Sequence, residues 1–184
     1  MPVSCIVLAA GGSSRLGRAK QLVLFRGRPL VRHAAEVALQ SGASKVVVIV
    51  PASAPEIVAA LDGLSLHTIE NPDAIEGIAS SIRCGVGNTP GPWLLTLCDQ
   101  PLVTPQHLQA LLGASGLIAA TRYPDGRAGV PAWFDASLRD ELMALRGDAG
   151  AQRVIGADSA RVQLVDFEEA SVDVDTEEDV ARLE

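Results

Sequence analysis

Cysteine is scarce in this sequence: only Cys5, Cys84 and Cys98 occur, and they stand far apart. An odd number at wide spacing makes neither a disulfide frame nor a zinc set. Cys5 and Cys98 fall in apolar runs and read as reduced core residues of a cytoplasmic protein. Positive charge is also short. Fifteen lysines and arginines face 22 acids, for a formal charge of −7. That balance argues against a nucleic-acid or membrane surface as partner. It still admits a nucleotide, because cations can be gathered locally. No apolar run reaches membrane-spanning length, and no signal peptide is read before Cys5. Repeats, low-complexity tracts and linkers are missing as well. The 184 residues are expected to form one domain over 1–184, with a core that needs no disulfide or structural metal.

What is present is organised around residues 5–20, CIVLAAGGSSRLGRAK. An apolar run over 5–10 breaks into Gly11-Gly12-Ser13-Ser14 and then delivers Arg15, Arg18 and Lys20. A buried strand that ends in a small-residue loop exposes backbone N–H groups. Three cations follow at once. The combination makes an anion cradle, and a phosphate chain is the anion it suits. Three related motifs fail here. The P-loop spacing of Gly12 and Gly17 is followed by Arg18-Ala19, so the magnesium-binding hydroxyl is missing. The dinucleotide fingerprint GxGxxG is absent, with glycines at 11, 12 and 17. The nucleophile elbow GxSxG fails because Arg15 follows Ser14. The plain alternative is a glycine-rich turn with solvated arginines.

Leu8-Ala9-Ala10-Gly11-x-Ser13-x-Arg15-Leu16-Gly17-x-x-Lys20 resembles the signature loop of the MobA-like NTP transferases, in particular their molybdenum cofactor cytidylyltransferase branch. Lys20 is one of two lysines, with Lys45, against thirteen arginines. A chain that otherwise uses arginine but keeps lysine here is consistent with a need for a compact point charge.

The remaining pattern alternates strands and helices. Strands are expected over 3–9, 45–50, 66–70, 93–98, 116–121 and 161–165, with a short strand over 129–134 lying over the site. Helices are expected from Pro29 to Gly42, from Pro55 to about Leu61, from Gly77 to Arg83, after Thr104-Pro105, after Asp135, and up to Ile155. Thr176 and Asp179 have capping-box spacing for a last helix. This order predicts a three-layer α/β/α sandwich with a mostly parallel, Rossmann-like sheet. In the common doubly wound order the first and fourth strands lie side by side where the winding reverses, and ligands bind beyond their carboxyl ends. That rule alone brings the 11–20 loop and Asp99 into one crevice.

Asp99 ends the apolar run 93–98, where a carboxylate beside a phosphate cradle can hold magnesium. Alone it is equally a turn aspartate bonding its own backbone before Pro101. Leu97-Cys98-Asp99-Gln100-Pro101 resembles the family's DQP motif, whose aspartate is a magnesium ligand. Asn71-Pro72, Gly77 and Ser80-Ser81 resemble its NPxxxxGxxxS segment, which implies that Asn71, Gly77 and Ser81 lie against the base or ribose. From the residues alone, an Asn-Pro turn and a helix start are the simpler reading. Gly147-Asp148-Ala149-Gly150-Ala151 resembles the branch's GDxGAR segment, with Gln152 in place of arginine, and implies a position near the second substrate. Residues 172–179 are similar to the IDIDTPEDL ending, with Glu177 for proline. Asp175, or Asp173, would be a second metal carboxylate, although Asp and Thr before a helix also suit any helix start. Gly129-Val130-Pro131 stands where the branch often has Gly-His-Pro. His33, His67 and His107 offer no replacement by spacing and read as ordinary surface or helix residues.

The resemblance spans nearly the whole chain. It implies a Mg2+-dependent nucleotidyltransferase that moves CMP, favoured over GMP, from a nucleoside triphosphate to a phosphate-bearing acceptor such as molybdopterin, with a recipient molybdoenzyme as a further partner. Arg15, Lys20 and Asp99 are the expected catalytic residues. Leu8, Ala9, Ala10, Gly11, Gly12, Ser13, Arg15 and Lys20 are the expected nucleotide contacts in the loop, and Asp99 and Asp175 the expected metal ligands. Two other readings stand beside it: a nicotinamide-dependent reductase of the same fold family, and a binding protein that carries a cofactor precursor without chemistry.

Overall fold

The continuous apolar runs become the centre of one sheet in the computed structural model, which describes residues 2–12, 19–174 and 177–182. In chain order the elements are β1 (Ser4–Leu8), β2 (Leu24–Phe25), β3 (Arg28–Pro29), α1 (Leu30–Leu39), β4 (Lys45–Pro51), α2 (Pro55–Ala59), β5 (His67–Asn71) and α3 (Ile78–Asn88). They continue as β6 (Trp93–Leu97), α4 (Pro105–Leu112), β7 (Ile118–Arg122), β8 (Ala128–Phe134), α5 (Arg139–Met143), α6 (Gln152–Ile155), β9 (Val162–Asp166) and α7 (Glu177–Ala181). Among the described residues, seven strands form a sheet in the order β5-β4-β1-β6-β8-β7-β9, and β2 and β3 make a separate small hairpin.

Every residue of β1 is buried, as are the five central residues of β4. Both faces of these strands are covered, so their sequences carry no polar alternation. Cys5 and Val7 pack with Val31, Ala35 and Ala38 of α1 and with Leu108 and Leu111 of α4. Ile6 and Leu8 pack on the other face with Ala79, Ile82 and Val86 of α3 and Leu142 of α5. Each fully buried aliphatic side chain contributes about 1.5–3 kcal/mol by leaving water. Helix α3 lies so near β1 that a Cβ at Gly85 would stand 2.7 Å from Ile6 Cγ2. Only glycine allows that approach. The result is the expected three-layer α/β/α fold.

β1 sits between β4 and β6 and is parallel to both. The chain therefore leaves β1 in one direction for β4 and β5, and comes back on the other side as β6. This reversal sets the carboxyl ends of β1 and β6 next to each other, as the doubly wound order requires.

One expectation is corrected. The strand expected to lie over the site is β8, and it runs inside the sheet, antiparallel to β6 and β7. A tight turn, closed by the Tyr123 N–H donating to the Arg127 carbonyl at 2.9 Å, returns the chain directly beside β7. Ala120 pairs with Ala132 but Thr121 pairs with Gly129, so Val130 and Pro131 are skipped in the register. Proline has no N–H to give the ladder and fits such an irregularity. Thr104 and Asp135 cap as expected, accepting from the N–H groups of His107 and Ser137. Thr176 lies outside the described residues. No helix among the described residues is long and apolar enough to cross a membrane.

Candidate active site

The first strand delivers Leu8 to a turn at Ala10-Gly11-Gly12, and the sixth delivers Leu97 to Cys98 and Asp99. Between these ends and the start of α3 lies a cleft of about 280 Å³. It is lined by Leu8, Ala10 and Leu97, by Gly11, Gly12 and Lys20, by Gly77, Ser81 and Asp148, and by Asp99.

Gly11 and Gly12 call for a particular explanation. Neither has a positive φ, and a Cβ at either would meet nothing within 4 Å among the described residues. Neither backbone conformation nor packing therefore demands glycine. Both border the cleft, so the missing side chains leave room for a ligand to approach the backbone.

Lys20 opens a turn of 3-10 helix (Lys20–Leu22). Its Nζ donates to Asp99 Oδ2 at 2.7 Å, across 79 residues of sequence. The two side chains are only 16% and 25% exposed, so the pair is largely withdrawn from water. Asp99 Oδ1 is buried with no hydrogen-bond partner among the described residues. An orphaned carboxylate oxygen costs free energy and is open to a cation or a donor group. That oxygen is the feature of this chain that a divalent cation fits.

Gln21 holds the loop in shape. It is buried, and its Nε2 donates to the Ala9 carbonyl at 2.7 Å and the Gly11 carbonyl at 2.9 Å. Fixing those two carbonyls fixes the peptide planes from residue 9 to residue 12. At the start of α3, Gly77 sits at φ +114°, and a Cβ there would stand 2.5 Å from the Gly147 carbonyl oxygen. The Ala79 N–H donates to that same oxygen at 3.1 Å. Arg83 reaches the Leu145 carbonyl at 2.7 Å and Glu76 Oε2 at 2.6 Å, and its guanidinium holds the Glu76 carboxyl below the usual range. These contacts seat the 147–150 turn on the start of α3 and put Asp148 in the cleft.

Behind Asp99, the Val174 N–H donates to the Asp99 carbonyl at 2.8 Å. Val174 is fully buried against Val23, Phe25 and Leu30. Gln100 Nε2 donates to the Ala170 carbonyl at 2.8 Å. The late segment over 170–174 is thus strapped across the Asp99-Gln100-Pro101 turn.

Of the residues expected from sequence, Leu8, Ala10, Gly11, Gly12, Lys20, Gly77, Ser81 and Asp99 line this cleft. Ala9 turns its side chain to the opposite face and lends only its carbonyl to Gln21. Asn71 stands one layer back. Its Nδ2 donates to Ser80 Oγ at 2.8 Å and Ser81 Oγ at 3.1 Å, and its Oδ1 accepts from the Asp73 N–H. Both its amide hydrogens are thereby committed within the protein. Ser13, Arg15 and Asp175 lie outside the described residues. Sequence reasoning missed Gln21, whose only signal was a polar side chain directly after Lys20. It also left Asp148 out of the nucleotide site while placing its segment near a second substrate.

Of the remaining reactive side chains, Cys98 also borders the cleft, while His33, His107 and Cys5 do not line it. His107 is buried, with Nε2 2.7 Å from Thr121 Oγ1 and its ring stacked on Phe167. Burial lowers its pKa to about 4. His33 bonds the Pro101 carbonyl at 2.8 Å. Cys5 and Cys98 are buried free thiols, with burial pushing Cys5 up to about 12 and raising Cys98 too.

The family model of the MobA-like NTP transferase domain matches residues 5–163. Over 195 residues the chain is 34% identical to nicotine blue oxidoreductase of Paenarthrobacter nicotinovorans, covering 98% of this chain and 96% of that protein. It is 31% identical over 159 residues to the molybdenum cofactor guanylyltransferase of Xanthomonas euvesicatoria, covering 85% and 77%. The crystal structure of Rv0371c from Mycobacterium tuberculosis H37Rv superposes with a TM-score of 0.83 at 30% identity, covering 100% of this chain and 97% of that one. The structure of its complex with manganese superposes at 0.78 with 28% identity, over the same shares.

Proposed function

Because the chain belongs to the MobA-like NTP transferase family, we propose that it is a metal-dependent nucleotidyltransferase that moves CMP from CTP to a phosphate on molybdopterin or a similar acceptor. The single observation that carries the reading is the orphaned Asp99 Oδ1, beside an ammonium and facing a side-chain-free backbone turn. A phosphate oxygen of the acceptor attacks the α-phosphorus, the bond to the β-phosphate oxygen breaks, and pyrophosphate leaves with the electron pair. The protein's share is placement and charge. The Gly11 and Gly12 backbone holds the outer phosphates together with Arg15, and Lys20 neutralises the α-phosphate. Ser81 borders the base end of the cleft, held in place by Asn71.

Asp99 holds the divalent ion, taken as Mg2+, with Asp175 proposed as a second carboxylate. When bound, that ion draws charge from the α-phosphate and the leaving group. The manganese complex of Rv0371C supports a divalent ion in this family. The Leu-Ala-Ala-Gly form of the loop favours CTP, and the guanylyltransferase relative makes GTP the alternative donor to test.

The test mixes protein, Mg2+ and α-labelled CTP or GTP with a molybdopterin-bearing extract. A labelled dinucleotide and released pyrophosphate are expected. No labelled product with either base refutes the assignment. Asp99→Asn and Lys20→Ala are expected to slow turnover at least about 100-fold with folding intact, the scale of losing a group that stabilises developing charge.

A second reading has its own support: the oxidoreductase relative matches across nearly the full length of both chains. In that case NADH or NADPH absorbance falls in the presence of a quinone-like pigment, and no pyrophosphate is released. The chain carries no GxGxxG, so a nicotinamide cofactor would need another phosphate cradle. A protein that only carries a cofactor precursor would bind nucleotide and release nothing.

A further inference from the structure

We propose that Lys20 is a gate on the metal site: its ammonium occupies the cation's place on Asp99 until a nucleotide phosphate draws it away. The inference rests on the nucleotidyltransferase reading and concerns the order in which that site fills.

The geometry sets up a competition. Asp99 offers the cleft two carboxylate oxygens, one bonded to Lys20 Nζ at 2.7 Å and the other unpartnered. A divalent ion arriving alone must share the carboxylate with a full positive charge at hydrogen-bond distance. Little water reaches the pair to screen that repulsion, with the side chains 16% and 25% exposed. In the empty cleft the ammonium is held at hydrogen-bond distance by the same carboxylate that the ion needs. A triphosphate changes both conditions at once. Its α-phosphate offers Lys20 an anion within the cleft, which frees Asp99 for the ion.

Metal and nucleotide therefore bind with positive coupling, and the coupling is reciprocal. Sites linked in this way usually differ in affinity by roughly 5- to 150-fold between the singly and doubly occupied states. Free metal would then be excluded from the empty site and would enter together with the nucleotide.

The experiment is a titration of Mn2+ alone, followed by the loss of the free-ion electron paramagnetic signal, in the absence of nucleotide. Native protein should bind Mn2+ weakly. Lys20→Met, which keeps the stem and removes the charge, should bind it roughly 5- to 150-fold more tightly. Lys20→Gln repeats the test with a different side chain, and Lys20→Arg, which retains a cation, should stay near native affinity. Asp99→Asn placed on Lys20→Met should abolish the gain. If neither neutral variant binds Mn2+ more tightly than native protein, the gate is refuted. If Asp99→Asn also leaves Mn2+ binding unchanged in the presence of a non-hydrolysable CTP analogue, the metal role of Asp99 falls with it. Loss of binding in that last arm alone separates the two claims: the transferase reading survives and the gate does not.

Discussion

Replacing Gln21 with alanine probes how the main chain over residues 9–12 is held. The native amide donates to two main-chain carbonyls, at 2.7 Å and 2.9 Å, from a side chain that is 3% exposed. The Ala9 carbonyl is buried, so its loss of partner carries the full cost of an unmet acceptor; the Gly11 carbonyl is part-buried and can be partly rehydrated. Together the two losses amount to about 2–4 kcal/mol. For a chain of this size each kcal/mol lowers the melting point by roughly 2–4 °C, so a fall of roughly 4–16 °C is expected. The functional effect should exceed the thermal one. At a temperature where the variant is folded, the peptide planes from 9 to 12 are no longer pinned, and the KM for nucleotide should rise several-fold or more. Gln21→Glu is the sharper companion, since it keeps the shape but turns a donor into an acceptor facing two carbonyl oxygens. Differential scanning fluorimetry and a pyrophosphate-release assay measure both effects. A Gln21→Ala protein that melts within a degree of native and keeps its KM would refute the role given to this side chain.

Gly12→Ala should leave the melting point within about 1 °C of native, since the added methyl meets no atom of the described residues within 4 Å, yet weaken nucleotide binding in a calorimetric titration. Gly77→Ala is the converse. Its φ of +114° and the nearby Gly147 carbonyl predict a loss of about 2–4 kcal/mol in urea unfolding, with Asp148 displaced from the cleft. His107 makes stability depend on pH. Its folded pKa, lowered to about 4 against an ordinary 6.5, means the unfolded chain binds the extra proton first. Stability from this group is whole above pH 6.5 and is lost as pH falls toward 4, by about 3 kcal/mol in all. His107→Gln removes this contribution, so the native-minus-variant stability difference should shrink as pH falls across that window, and parallel curves would refute the assignment.

The parts legible in the sequence were those whose cause is local. The runs at 4–8 and 45–51 are apolar throughout because both faces are covered, and a period-free apolar run says so directly. The meeting of Lys20 and Asp99 was also within reach, because it needs only that β1 and β6 be neighbours at the reversal of the winding. β8 was misplaced for a reason of the same kind. Nothing within Gly129-Val130-Pro131 states which strand it pairs with; its position follows from the short return after Arg122, and the skipped register hides the alternation that would mark a sheet strand.

Gln21 and Asn71 show where local signals stop. Both are amides beside a cleft, and the residue type alone suits a ligand contact as well as a structural one. What separates the cases is the path of the main chain. Around Gln21 that path turns the carbonyls of residues 9 and 11 inward, and around Asn71 it brings two serine hydroxyls from α3 within 3.1 Å. In both places the amide serves the protein, and its service is to leave a neighbour exposed to the cleft: the Gly11-Gly12 backbone in one case, Ser81 in the other. Side chains that carry no chemistry thus set the positions of those that border the ligand space. A loop motif read by residue type will tend to credit the ligand with contacts that belong to this supporting layer.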